Sequence, residues 1–291
     1  MNSILYLFLA IVFWALNFHL GQVMMEYVSP AAAAFWRFLI AAISLAVLVG
    51  GSLPSLRVIR QNIWGAVLVG LVGLFGFIFF FMQGLKETSA LNGALILALN
   101  PAMTVILAAI FQGHKIKGKD LLGIVIALLG VVFLLTMGEL SQILAIRFEA
   151  GDLYFLAASL MFALQNIWIR RHSATLGSKA FTLLTNAFCL LGFVILVLFE
   201  EWHHPLQLPG RFWWAAVTMG LPGTALAYYA WNLGIAKIGP ARGAIFLNAV
   251  PLLVAIFAVP FGNSLYLFHF FSFLLIVSGL LIMQWQPKVA K

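Results

Sequence analysis

Long apolar runs broken by short polar turns set the rhythm of this chain. Ten runs lie at roughly 3–25, 31–50, 63–85, 89–112, 121–137, 152–170, 179–199, 212–235, 241–261 and 267–285. A helix needs about 20 mostly apolar residues to cross a bilayer, and the runs are near that length. They do not alternate in polarity, as the strands of a membrane barrel would. The pattern predicts an all-α membrane protein of ten transmembrane helices, with linkers too short to hide a soluble domain. The first run has no basic start and exceeds a usual signal core, so a retained helix is expected.

Two runs carry a helix breaker near their middle. Residues 95–109 read LILALNPAMTVILAA, and residues 245–255 read IFLNAVPLLVA. Pro101 and Pro251 stand 150 positions apart, with Asn100 and Asn248 close by. A proline inside a helix removes a backbone hydrogen bond and bends the axis. Such backbone is tolerated at membrane depth where it is covered by protein or lines a cavity. The matched prolines are therefore candidate gating hinges, together with Gly93 and Gly243 about two turns earlier. A static kink that aids packing is the plainer alternative.

The same offset runs wider. Of Gly70, Gly73, Gly76, Gly84, Gly93 and Pro101, all but Gly76 meet the same residue type 150 positions later. WALN at 14–17 resembles FALQ at 162–165, and Gly130 matches Gly279. The chain reads as a duplicated five-helix unit: residues 1–137, a linker at 138–151, and residues 152–291. Five is odd, so the second copy starts on the opposite side of the membrane. The two copies are then inverted repeats about an axis in the membrane plane, as in many secondary transporters.

Composition agrees with a lipid solvent: the 291 residues are 64% hydrophobic and 8% charged, against about 25% charged in a soluble domain. The net charge of +8 suggests nucleic acid until the charges are placed. With the amino terminus inside, twelve of the sixteen basic residues fall on the cytoplasmic side and three outside, with Arg37 left inside a run. That bias predicts both termini in the cytoplasm. One cysteine, Cys189, excludes an intramolecular disulfide and a cysteine-based zinc site. The EEWHH stretch at 200–204 reads as a solvated loop rather than a metal site. No metal and no cofactor are expected.

These features carry a resemblance. The WALN of the first run, the block PAMTVILAAIFQGHKIKGKDLLGIVIALLGVVFLL, and its echoes PLLVAIFAVPFGN and LLIVSGLLIM are similar to the drug/metabolite transporter superfamily. Within it the chain resembles the paired five-helix EamA-type domains over nearly its whole length. Many such domains carry a Gly-Glu pair after the fourth helix of each unit. Here those positions read Gly113-His114 and Gly262-Asn263, so no role of that acid is carried over. The aromatic-rich helices make the chain most similar to bacterial aromatic amino-acid exporters.

Polar residues within the runs concentrate on the first, third, fourth, sixth, eighth and ninth. An amide in lipid is costly, so these should face one another or a wet cavity. The candidate cavity residues are Trp14, Asn17 and Phe18; Phe77, Phe80 and Gln83; Asn100; Phe162, Gln165, Asn166 and Trp168; Tyr228, Trp231 and Asn232; and Asn248. For any single amide, interhelical hydrogen bonding serves as well as substrate contact; for any single aromatic, lipid contact does. Arg37 is a candidate carboxylate partner, but it lies within about two turns of a helix end, where snorkelling competes; it is left outside the main pocket. No Asp or Glu lies deep in a run, which disfavours carboxylate-based proton exchange and organic cations. His19 and His269 are expected to pack and hydrogen-bond.

The expectation is a secondary transporter that exports amino acids with aromatic or other apolar side chains, by alternating access. Export of other small metabolites or drugs is the alternative. An embedded enzyme is disfavoured, because no convergent set of acids, histidines or nucleophiles exists. The expected partners are small-molecule substrates and the lipid bilayer, without nucleic acid; a monomer is left open.

Overall fold

The computed structural model describes residues 3–51, 53–112, 116–139, 149–172, 176–200, 205–238, 245–262 and 264–284. For Pro101 and Asn248 only the backbone path is described. Gly243 and residues 201–204 lie outside the described residues, as does most of the linker at 138–151. Secondary structure among the described residues is helical, with no strand. Helix α1 spans Ser3–Met25 and α2 Pro30–Val49. Helix α3 runs over Leu56–Glu87, and α4 is split into Ala90–Leu97 and Asn100–Gln112. Helix α5 spans Gly118–Leu135, α6 Ala150–His172 and α7 Ser178–Val197. Helix α8 is built from Gly210–Gly220, Leu221–Leu226 and Ala227–Ile238. Helix α9 enters through a 3₁₀ turn at Ile245–Ala249, continues over Val250–Ala258 and ends in Val259–Phe261; α10 is Leu267–Gln284. Six of these helices are long and apolar enough by themselves to cross a membrane.

Helix starts follow local chemistry. Ser29 caps α2 by accepting from the Ala32 amide at 3.0 Å, with Pro30 in the first turn. Ser89 caps α4 in the same way through the Asn92 amide at 3.1 Å. A capping hydroxyl satisfies an amide that has no partner within the helix. The outward faces are apolar: Val47 is 79% exposed, and Leu121, Leu122 and Leu129 are exposed along α5. Such a surface suits lipid, since a soluble protein rarely exposes large contiguous apolar patches. Cys189 is free and buried in α7.

The interruptions fall where the two prolines are. In α4 the ladder tightens, with the Leu99 amide donating to Ile96 at 3.0 Å, and then restarts as Met103 donates to Leu99 at 3.1 Å. The break therefore precedes Pro101, which is the second residue of the restarted helix. Pro251 is likewise the second residue of the α-helical part of α9. Proline is well tolerated in a first turn, where its missing N–H has no intrahelical partner to lose. So each run holds two segments joined at an irregular turn, rather than one helix kinked at its centre.

Helices α3 and α8 hold a second kind of interruption. Each widens into a π-helical stretch, at Leu68–Leu74 and Leu221–Leu226. Glycines in these stretches let neighbouring helices come close. A Cβ on Gly223 would lie 2.2 Å from Asn17 Oδ1, and one on Gly73 would lie 2.8 Å from Gln165 Cβ. Residues 17 and 165 end the WALN and FALQ segments, so one contact repeats with the halves exchanged. Gly220 against the Arg37 carbonyl matches Gly70 against the Thr185 carbonyl, and Gly234 against Leu7 matches Gly84 against Phe155. Helices α5 and α10 meet through Gly130 on Ile276 and Gly279 on Ala127. Close approach through small residues is the ordinary glue of helices in lipid.

The Gly223–Asn17 contact gives a direct test. Gly223→Ala should destabilise the protein by about 1–3 kcal/mol through overpacking. Gly210→Ala, with nothing within 4 Å of the added methyl, should stay within about 0.5 kcal/mol of the parent. Thermal unfolding of the detergent-solubilised variants measures both.

Candidate functional site

The π-helical turn of α8 positions the first wall of a central cavity. Asn17 Nδ2 donates to the Gly223 carbonyl at 2.8 Å. Arg37 Nε donates to Thr224 Oγ1 at 2.7 Å, and that hydroxyl donates in turn to the Met219 carbonyl at 2.8 Å. Successive residues of one turn thus hold an amide from α1 and a guanidinium from α2. Arg37 is 2% exposed, so it turns inward instead of reaching for the membrane surface. Its Nη1, together with Trp14 Nε1 and Asn17 Oδ1, is buried without a hydrogen-bond partner. All three residues line the cavity.

The break in α4 supplies the opposite wall. Asn100 Nδ2 donates to the Ser159 carbonyl of α6 at 2.8 Å, and Asn166 Nδ2 approaches Asn100 Oδ1 at 3.4 Å. Thr104 Oγ1 donates back to the Asn100 carbonyl at 2.9 Å. Ala94, Leu97, Ala98 and Asn100 line the cavity from α4, and Leu247, Val250 and Pro251 line it from α9. Aromatic rings close the remainder. Phe77 and Phe162 meet at 4.9 Å between centroids, and Phe18 meets Phe81 edge-on at 4.9 Å. Trp14 packs on Tyr228 at 5.2 Å. The space they border is about 90 Å³ and partly open.

Of the candidates read from the sequence, Trp14, Asn17, Phe18, Phe77, Asn100, Phe162, Tyr228 and Pro251 line this space. Others serve elsewhere. Trp231 packs on Trp14 at 5.0 Å with the rings tilted by 47°, and Asn232 donates to Thr182 Oγ1 at 2.6 Å, tying α8 to α7. Gln165 packs on Gly73 with its Oε1 buried and unpartnered. Trp168 joins a satellite cluster with Val69 and Phe181. Phe80 faces Phe79 and Tyr154, and Gln83 is half-buried outside the lining. Gly93 makes room for the Phe155 ring, which a Cβ would approach to 2.2 Å. His19 Nε2 donates to the Val254 carbonyl at 2.9 Å and its ring stacks on Phe261, joining α1 to α9. No group of three or more metal-ligating side chains occurs among the described residues.

With this geometry in place, similarity to known proteins decides the family. The EamA-like transporter family matches twice, at residues 1–136 and 149–285. The chain belongs to the EamA-like transporter family. This EamA protein is 31% identical over 287 residues to an uncharacterized transporter, YyaM, of Bacillus subtilis, covering 96% of this chain and 92% of the relative. It is 28% identical over 216 residues to the aromatic amino acid exporter YddG of Ancylobacter novellus, covering 72% and 73%. A crystal structure superposes at a TM-score of 0.69 with 24% identity, over 97% of this chain and 96% of that one; at this identity the likeness is one of fold. The protein is thus a membrane transporter with the ten-helix EamA architecture.

Sequence reasoning left Arg37 out of the cavity, although its signal was present: a lone charge in an apolar run. The π-helical turns were not anticipated; the matched glycines were their trace. Asn100 offers the test here. Asn100→Ala removes the α4–α6 link to the Ser159 carbonyl and should lower stability by about 0.6–2 kcal/mol, the range of interhelical hydrogen bonds in membranes. A shift in the thermal midpoint of the purified variant measures it.

Proposed function

We propose that this EamA protein is a secondary transporter that exports amino acids with aromatic or other apolar side chains across the plasma membrane by alternating access. The carrying observation is the central cavity, walled by aromatic rings and a few amides from helices of both halves. Such a wall stacks rings and hydrogen-bonds a neutral or zwitterionic ligand. The similarity to an aromatic amino acid exporter supports the same substrate class. In this reading residues 1–137 and 152–291 are inverted repeats joined by 138–151, with both termini cytoplasmic.

Gating follows from the split helices. The space of about 90 Å³ is well below the roughly 300–1,000 Å³ of typical ligand pockets, so the walls must part to admit an aromatic amino acid. Proline lacks the N–H that would weld each half-helix to the next. Leu97 and Leu247, four residues before Pro101 and Pro251, both line the cavity beside these joints.

Proteoliposomes carrying the purified protein should release labelled phenylalanine or tryptophan faster than protein-free vesicles, with threonine and methionine compared beside them. Flux should not depend on an imposed pH gradient, and absence of flux for every amino acid overturns the reading. Pro101→Ala and Pro251→Ala restore an N–H and should slow flux more than they lower yield. Equal loss of flux and yield would assign the prolines to packing alone.

A further inference from the structure

We propose that Arg37 and Trp14 form a subsite for a carboxylate, so that the cavity selects substrates carrying one. The inference rests on the cavity being a substrate site, and it names the group that the site reads. Arg37 is the eighth residue of α2 and is buried, not turned to the surface. Its Nε is committed to Thr224, whose own hydroxyl proton is committed to the Met219 carbonyl. That chain of two hydrogen bonds leaves the Thr224 oxygen as an acceptor and fixes the plane of the guanidinium. Nη1 then stands buried without a partner, and so does the indole Nε1 of Trp14. Both side chains border the same cavity.

The charge balance points to an anion. Among the described residues the ion pair formed is Arg211 with Glu26, which are exposed, and no acid pairs with Arg37. A buried charge is normally paired or fully hydrogen-bonded, because an uncompensated one is strongly destabilising. Two N–H donors without acceptors on one cavity, one of them cationic, call for an anion with two acceptor oxygens, as a carboxylate has. A phosphate carries close to two charges and would meet one guanidinium in an otherwise apolar, aromatic chamber. The carboxylate is therefore the anion assigned.

Thermal unfolding of the full-length protein in detergent tests this with phenylacetate, phenethylamine and inorganic phosphate as probes. Phenylacetate should raise the midpoint; phenethylamine and phosphate should not. Arg37→Gln should weaken the apparent affinity for phenylacetate by about tenfold or more, as loss of a charge-assisted hydrogen bond implies. Trp14→Phe keeps an aromatic ring, though a smaller one, removes the N–H and should weaken it by a smaller factor, which keeps the test open if Arg37→Gln does not fold. No stabilisation of the parent by phenylacetate overturns the subsite, as does equal affinity in parent and both variants. Stabilisation by phosphate or phenethylamine equal to that by phenylacetate also overturns it. Stabilisation by phenylacetate without flux of any amino acid retains the subsite and rejects amino-acid transport.

Discussion

In hydrocarbon, a backbone amide or carbonyl without a protein partner has no water to turn to, and each one costs several kcal/mol. This constraint governs where the helices here are allowed to be irregular. The break in α4 is buried in the bundle, and the π-helical turns in α3 and α8 each bury one face in it, with Val72, Leu221 and Leu226 exposed outward. Residues of the breaks in α4 and α9 border the central cavity, as does Asn17, which is held by the π-turn of α8. Side chains take over part of the missing backbone bonding: Asn17 meets the Gly223 carbonyl and Thr224 meets the Met219 carbonyl. Irregular backbone and polar side chains therefore occur together because each makes the other tolerable.

Close packing is the second condition. Gly73, Gly84, Gly223 and Gly234 face Gln165, Phe155, Asn17 and Leu7 at separations that leave no space for a methyl group. Helices α1 and α6 are thereby pressed against α8 and α3. That proximity lets residues from both halves reach one chamber. Had the glycines been larger, Asn17 could not reach the carbonyl of Gly223, and the wall holding Arg37 would be displaced.

The helices were legible because lipid leaves composition little freedom: a run of apolar residues at this length has few structures open to it. The cavity was legible where residue type and depth suffice, as for Asn17, Phe77, Asn100 and Tyr228. It was not legible where the direction of a side chain decides. Trp231 follows Tyr228 by about one turn, yet it packs on Trp14 instead of lining the space. Asn232 reaches α7, a helix whose position the repeat pattern does not specify. Arg37 was the largest omission. Its distance from the helix end suggested an escape to the surface, and only the Thr224 hydroxyl across the bundle explains why it turns inward.

Exchange of the two halves relates many packing contacts, but the polar cavity wall is not symmetric. Residue 37 matches residue 185, since their carbonyls lie against the matched glycines Gly220 and Gly70, yet the partner of Arg37 in this sense is Thr185. Asn17 lines the chamber, and its counterpart Gln165 does not. Under the proposed alternating access the two repeats would swap conformations, and the doors would be nearly equivalent. The proposed carboxylate subsite cannot swap, because only the first half carries the charge. A substrate held there would stay bound to α1 and α2 while the bundle opens to one side and then to the other. A buried guanidinium without a counterion is costly, so an anion binding to it favours whichever conformations keep it enclosed. In the proposed mechanism the asymmetry of one residue would let two similar gates serve a single site.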